Sequence, residues 1–249
     1  MRTLALIIAL PLAIAPLAAC SIDGSDSDST PGLPGSGSGT TRTFAATDFT
    51  AVELRGSDDV DVRVGTAFSV RAEGPAAELD KLKIERDGDT LKIGRIGRKG
   101  FNWSDDSKGK VTVYVTMPRI AEASVAGSGN LGVDRVEGQA FEGELAGSGN
   151  LTIATLAVQQ AKFDIAGSGN TKVSGTTGRF EANIAGSGDI DGAGLKASSA
   201  EVSIAGSGNV KAEVAGQAKV NVMGSGDVDL GRNAKCATSK MGSGAVTCG

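Results

Sequence analysis

The chain contains no histidine. Its absence excludes Ser-His-Asp hydrolysis, Cys-His proteolysis and histidine-ligated zinc. Aromatic residues make up 4% of the 249, with one Trp and one Tyr. So few large side chains speak against a thick globular core. There is no basic excess either. Lys and Arg number 25 against 29 Asp and Glu, a formal net charge of −4. Nucleic-acid binding needs a positive face, so no nucleic-acid partner is expected. Proline is sparse and a Gly-X-Y period is missing, which excludes collagen. What is plentiful is glycine, at 37 residues, about twice ordinary usage.

Residues 1–19 read as an export signal. Arg2 gives a positive start, and Leu4 to Leu17 is apolar apart from Pro11 and Pro16. That run is short of the ~20 residues that span a bilayer. It ends in Leu17-Ala18-Ala19-Cys20, which resembles the lipobox of bacterial lipoproteins. Cys20 is then the mature N-terminus and carries the acyl chains, anchoring the protein to a membrane. By resemblance to Gram-negative sorting, Ser21 after the cysteine favours the outer membrane. Residues 20–41 hold the lipidated Cys20 and a segment rich in Ser, Gly, Asp and Pro. It reads as a flexible tether with a mean reach of roughly 25 Å.

Gly-Ser-Gly recurs with its first glycine at 127, 147, 167, 186, 206, 224 and 242. The third residue after that glycine is Asn130, Asn150, Asn170, Asp189, Asn209 and Asp227, with Ala245 in the last copy. Apolar residues stand two, four and six places before the glycine and four and six after, with polar residues between. In the second copy these are Leu145, Gly143 and Phe141, then Leu151 and Ile153. Alternation on both sides of a glycine corner is strand, tight turn, strand. Such a unit cannot bury its apolar face alone, so successive copies stack. The fold class is all-β, a single-stranded β-helix-type solenoid with 18–20-residue rungs. The small inward columns imply a narrow, flat interior.

A degenerate rung with the same register surrounds Gly56, with Val52, Leu54, Val60 and Val62 inward and Ser57 and Asp58 in the corner. Between it and Gly127, strands are expected at 68–70, 82–84, 91–93 and 111–116. A short helix is expected within 76–82 and a hairpin turn at Asp87-Gly88-Asp89. Residues 94–110, with Phe101 and Trp103, read as a polar loop. Its aromatic pair either forms a binding tip or folds back over the solenoid. The head is one domain, 42–249.

The opening TRTFAATDFTAVELRGSDDVDVRVG, the middle LDKLKIERDGDTLKI and VTVYVTMPRI, and the repeated AGSGN together resemble the GIN-domain family of auto-transporter adhesin heads. The resemblance implies a β-solenoid, right-handed, on exported proteins, with no catalytic residues to carry over.

Several residues stand out as candidate sites. The Asn/Asp column Asn130, Asn150, Asn170, Asp189, Asn209 and Asp227 could be a calcium or glycan ladder. Four neutral amides among six suit calcium poorly, and turn chemistry with amides bonded along the stack accounts for the column. No metal site and no cofactor are expected. The Gly-Ser-Gly serines lack an activating base, which leaves them as turn residues. Glu122, Glu142, Lys162, Glu181, Glu201 and Lys219 form an outward column, five before each corner, read as a solvated face of mixed charge. Cys236 and Cys248 fall in inward columns of the final rung. With Cys20 lipidated they pair in an oxidising compartment, closing a loop worth roughly 3 kcal/mol. The function expected is a non-enzymatic, lipid-anchored envelope protein. Its head would meet a surface glycan or an envelope protein. The alternatives are a carbohydrate-binding or carbohydrate-cleaving β-helix, or a periplasmic structural or signalling accessory.

Overall fold

The structure is a computed structural model that describes residues 32–96 and 109–249. The export signal, Cys20 and the aromatic pair Phe101 and Trp103 lie outside the described residues. In chain order the short strands are β1 (Gly35–Ser36), β2 (Thr41–Phe44), β3 (Ala51–Gly56), β4 (Asp59–Val64) and β5 (Ser69–Glu73). One helical turn, α1 (Ala76–Leu79), precedes β6 (Leu82–Asp87), β7 (Thr90–Arg95), β8 (Thr112–Met117) and β9 (Glu122–Gly127). The long winding strands are β10 (Asn130–Gly147), β11 (Asn150–Gly167), β12 (Asn170–Gly186) and β13 (Ile190–Gly206). The winding ends in β14 (Val210–Val214), β15 (Gln217–Gly224), β16 (Val228–Asp229), β17 (Lys235–Met241) and β18 (Val246–Thr247).

The chain winds as an all-β solenoid of about 6 turns with rungs near 20 residues. Each rung lies parallel to the next, so that Asn130, Leu131 and Gly147 sit beside Asn150, Leu151 and Gly167. The corner glycines carry the turn. Gly56, Gly127, Gly147, Gly167, Gly186, Gly206, Gly224 and Gly242 all have φ between +113° and +140°, which glycine adopts without steric cost. They also stack closely, and a Cβ on Gly147 would stand 2.4 Å from the Gly127 carbonyl oxygen. That carbonyl accepts from both Ser148 N and Gly149 N at 2.9 Å.

The even-offset columns are buried as the alternation requires, among them Val125, Leu131, Val133, Leu145, Leu151 and Ile165. The interior is wider than a two-sided rung would make it. A third inward run per turn brings in Val136, Leu156, Leu195 and Val214, each at most 2% exposed. This run lacks a corner motif, and its register shifts between Ile153 and Leu156 and between Gly192 and Lys196. Rung length therefore varies on this side while the corners stay aligned. Phe141, Phe163 and Phe180 stack along the axis with ring centroids 6.0 and 6.2 Å apart. Gly143 makes room for them, since a Cβ there would stand 2.7 Å from Phe163 Cδ1.

The degenerate rung is the first rung of the stack. β3 lies parallel to β9 with Gly56 beside Gly127, and β4 lies parallel to β10 with Asp59 beside Asn130. The intervening residues fold back over its other edge. β7 runs parallel to β3 and β8 parallel to β4. Outside them β6, β5, β2 and β1 add antiparallel, closing that end of the stack. β6 and β7 meet at the expected hairpin, with Gly88 at φ +60°. Residues 33–41, counted with the tether on composition, belong to this closure. Leu33 packs on the core and donates its N–H to the Ile84 carbonyl at 2.7 Å. One apolar residue in a polar segment is enough to dock it, which average composition hides.

Candidate interaction face

The Asn/Asp column is a continuous hydrogen-bonded seam. Asn130 Nδ2 donates to Asp59 Oδ1 at 2.7 Å, and Asn150 Nδ2 donates to Asn130 Oδ1 at 2.8 Å. Asn170 Nδ2 reaches Asn150 Oδ1 at 3.5 Å, and the Asp189 N–H donates to Asn170 Oδ1 at 3.3 Å. Asn209 donates from N and from Nδ2 to Asp189 Oδ1, both at 2.8 Å. Asp227 N donates to Asn209 Oδ1, and Ala245 N to Asp227 Oδ1 at 2.7 Å. Each acceptor is used by the rung above it, which is the geometry of a structural ladder. Asp59 is the member that the sequence reading left out, although it stands three after Gly56 as Asn130 stands three after Gly127.

The outward charged column lies on a neighbouring face in strict register. Glu122, Glu142, Lys162, Glu181, Glu201 and Lys219 stand side by side on successive strands. Beside them run Glu53, Ser124, Glu144, Asp164, Asn183 and Ser203. Lys162 Nζ bridges Glu142 Oε1 at 2.6 Å and Asp164 Oδ2 at 2.7 Å. These hydrogen bonds hold the ammonium well above its usual range. Glu142, Glu144 and Asp164 can bring three carboxylate oxygens within 4.8 Å of one another. Lys162 already neutralises two of them, so this group is an ion-pair cluster by its own contacts. Farther along, Glu201 accepts from Arg179 at 2.6 Å and Lys219 at 3.2 Å. Hydrogen bonding to Lys219, then the nearby charges, lowers its carboxyl below the usual value.

Glu122 behaves oppositely. Partial burial raises its carboxyl, and the carboxylates of Glu144, Glu142, Asp89 and Glu53 add to the rise. A groove of about 310 Å³ runs along this stretch, with Asp89, Glu122, Glu142, Gln160, Lys162 and Arg179 in its walls. Ala121, Ala140, Phe141 and Ala161 also line it. Chemically the groove offers carboxylate acceptors, an amide and cationic donors, which can bind polar ligands by hydrogen bonding.

A second polar cluster lies at the closed end, and the sequence reading did not find it. Asp58 replaces the second glycine of the corner motif and is 1% exposed. Arg95 grips it bidentately, Nε to Oδ2 at 2.8 Å and Nη2 to Oδ1 at 2.6 Å, and also donates to Glu78. Val111 N donates to Asp58 Oδ1 at 3.1 Å, and Lys81 Nζ to Glu78 Oε1 at 2.7 Å. Arg95 and Glu78 are far from Asp58 in sequence, so no local spacing signals the cluster. Its members satisfy one another, which suits a clasp between the first corner and the closing strands.

At the other end, Cys236 and Cys248 are joined by a disulfide with Cα atoms 6.2 Å apart. Lys240 takes the place above Val222 and turns its ammonium to the Gly244 carbonyl at 2.8 Å.

A glycine corner, an amide seam and charged outward columns repeated from rung to rung define a repeat protein of the β-solenoid class. Residues 48–234 match the family described as "Putative auto-transporter adhesin, head GIN domain". The chain belongs to this family. Among solved structures, it is similar to one described as a "putative adhesin" from Bacteroides fragilis. That pair has 19% identity and a TM-score of 0.73 over 84% of this chain and 95% of that one. It is similar to a "Putative lipid binding protein" from Parabacteroides distasonis at 24% identity, TM-score 0.65, over 86% and 98%. A "putative adhesin" from Parabacteroides merdae matches at 16% identity, TM-score 0.63, over 84% and 95%. At these identities the likeness is one of fold. A search of curated proteins finds no match.

Proposed function

We propose that the protein is an exported, lipid-anchored adhesin-type scaffold of the cell envelope without enzymatic activity. Cys20 is the acylated residue, the segment up to about residue 32 is the tether, and the solenoid is the presenting head. The observation that carries this reading is the register of the outward columns. Side chains from Glu122 to Lys219 repeat at strand spacing on one rigid face, ~4.8 Å per rung. A regular face of mixed charge suits many weak polar contacts with a repeating partner such as a surface glycan. The family supports an adhesive role. The tether joins the head at the closed end, where Leu33 docks on the core.

The test has two parts. Cys20→Ala should move the mature protein from the membrane fraction to the soluble fraction. Protease shaving of intact cells, with a periplasmic control, should then remove the head if it is displayed outside. A head protected until the outer membrane is opened would replace adhesion with a periplasmic scaffold role. Unchanged membrane partition of the Cys20 variant would overturn the anchor.

A further inference from the structure

The two ends of the stack are closed differently. The end near the first rung is covered by β1, β2, β5, β6, β7 and β8. Among the described residues the other end is covered by one rung, β17 and β18, which pair with β15 and β16 and nothing else. That last rung buries little of its own. Six of the seven β17 residues are exposed, and Met241 is 71% exposed. The rung beneath it is core, with Ala218, Val220, Val222, Val228 and Leu230 all at most 4% exposed. The inward places above these residues are held by Cys236, Thr238, Lys240 and Val246, with Cys248 beyond. The last rung is therefore a thin cover whose side chains contribute few apolar contacts. A segment of this kind opens at a small fraction of the global unfolding free energy. The Cys236–Cys248 bond ties its two arms across the turn, and both cysteines are partly exposed, with no rung above them among the described residues.

We propose that this disulfide is a redox-controlled clasp on a lid formed by residues 235–249. A reducing dithiol attacks the sulfur of either cysteine. The S–S bond breaks, and a mixed disulfide forms on the attacked sulfur. The second thiol of the reductant then displaces that sulfur. The chain gains two electrons and two protons as two thiols, and the reductant leaves as its own disulfide. The freed lid peels from β15 and β16 and uncovers Val220, Val222 and Val228 while the other rungs stay wound. A small disulfide oxidant recloses it by the reverse exchange, taking up the two electrons and two protons and leaving as two thiols.

The experiment compares the full mature protein oxidised, reduced with dithiothreitol, and reoxidised. Limited trypsin digestion reads cleavage after Lys235 and Lys240, and hydrogen exchange reads the amides of 217–247. Reduction should speed cleavage at these two sites about a hundredfold, the gain a 13-residue closed loop gives. Amides from Gly127 to Gly206 should keep their protection, and reoxidation should restore the slow rate. The double variant Cys236→Ala, Cys248→Ala should behave as the reduced protein in either buffer. Equal cleavage rates with and without dithiothreitol would overturn the clasp. So would loss of protection from Gly127 to Gly206 on reduction, because the bond would then hold the whole fold.

Discussion

Asn130 Nδ2 donates to Asp59 Oδ1 at 2.7 Å across 71 residues of sequence. This bond starts the amide seam and joins the first rung to the rungs that follow the insertion. Every later bond of the seam links neighbours 18–20 residues apart. Asp59→Ala should remove the acceptor and cost about 1–2 kcal/mol. Asp59→Asn keeps an acceptor oxygen and should cost little. Chemical denaturation of both variants checks this, and equal losses would show that the charge matters more than the seam.

The repeats were legible because their contacts are local. Alternation around each Gly-Ser-Gly named the inward columns, and these are the buried ones, from Val125 to Val228. The third inward run was missed because Val136, Leu156 and Leu195 follow no turn motif that marks a start. Of the closing strands, β5 to β8 were found singly, from their apolar residues, but not their partners, and β1 and β2 were not found at all. Parallel pairing of β7 with β3 joins segments about 40 residues apart, and no sequence spacing encodes that. The Asp58, Arg95 and Glu78 cluster was hidden for the same reason.

That cluster gives a prediction at a single buried carboxylate. Asp58→Asn leaves Arg95 with one anionic partner and removes half of a bidentate grip. Breaking a buried pair costs about 3–5 kcal/mol. Arg95 keeps a quarter of its side chain in solvent, so the expected cost is lower, about 2–4 kcal/mol. Thermal melting should show the loss, and a variant as stable as the parent would mean that water replaces the carboxylate.

Two glycines separate strain from crowding. Gly88 and Gly147 both have positive φ, +60° and +122°. A Cβ on Gly88 meets nothing within 4 Å, whereas on Gly147 it meets the Gly127 oxygen at 2.4 Å. Gly88→Ala should cost about 1–2 kcal/mol from backbone strain alone. Gly147→Ala adds the clash and should cost at least ~2 kcal/mol more. Similar costs in denaturant would mean that the rungs part freely at the corner.

Two carboxylates should bend stability against pH in opposite directions. The ammonium of Lys81 and the guanidinium of Arg95 lower Glu78 to about 2. Its contribution is present above the ordinary carboxylate range and is lost as pH falls toward 2. Glu122 is raised by burial and neighbouring carboxylates. Its ionised form therefore costs stability at neutral pH, and the cost disappears once acid protonates it in both folded and unfolded states. Glu122→Gln should raise the Tm at pH 7 by about 1–2 °C and leave it unchanged near pH 3. Glu78→Gln should lower the Tm at pH 7, with the difference shrinking as pH falls toward 2. A Glu122→Gln Tm below the parent at pH 7 would mean that the carboxylate has a cationic partner on this face.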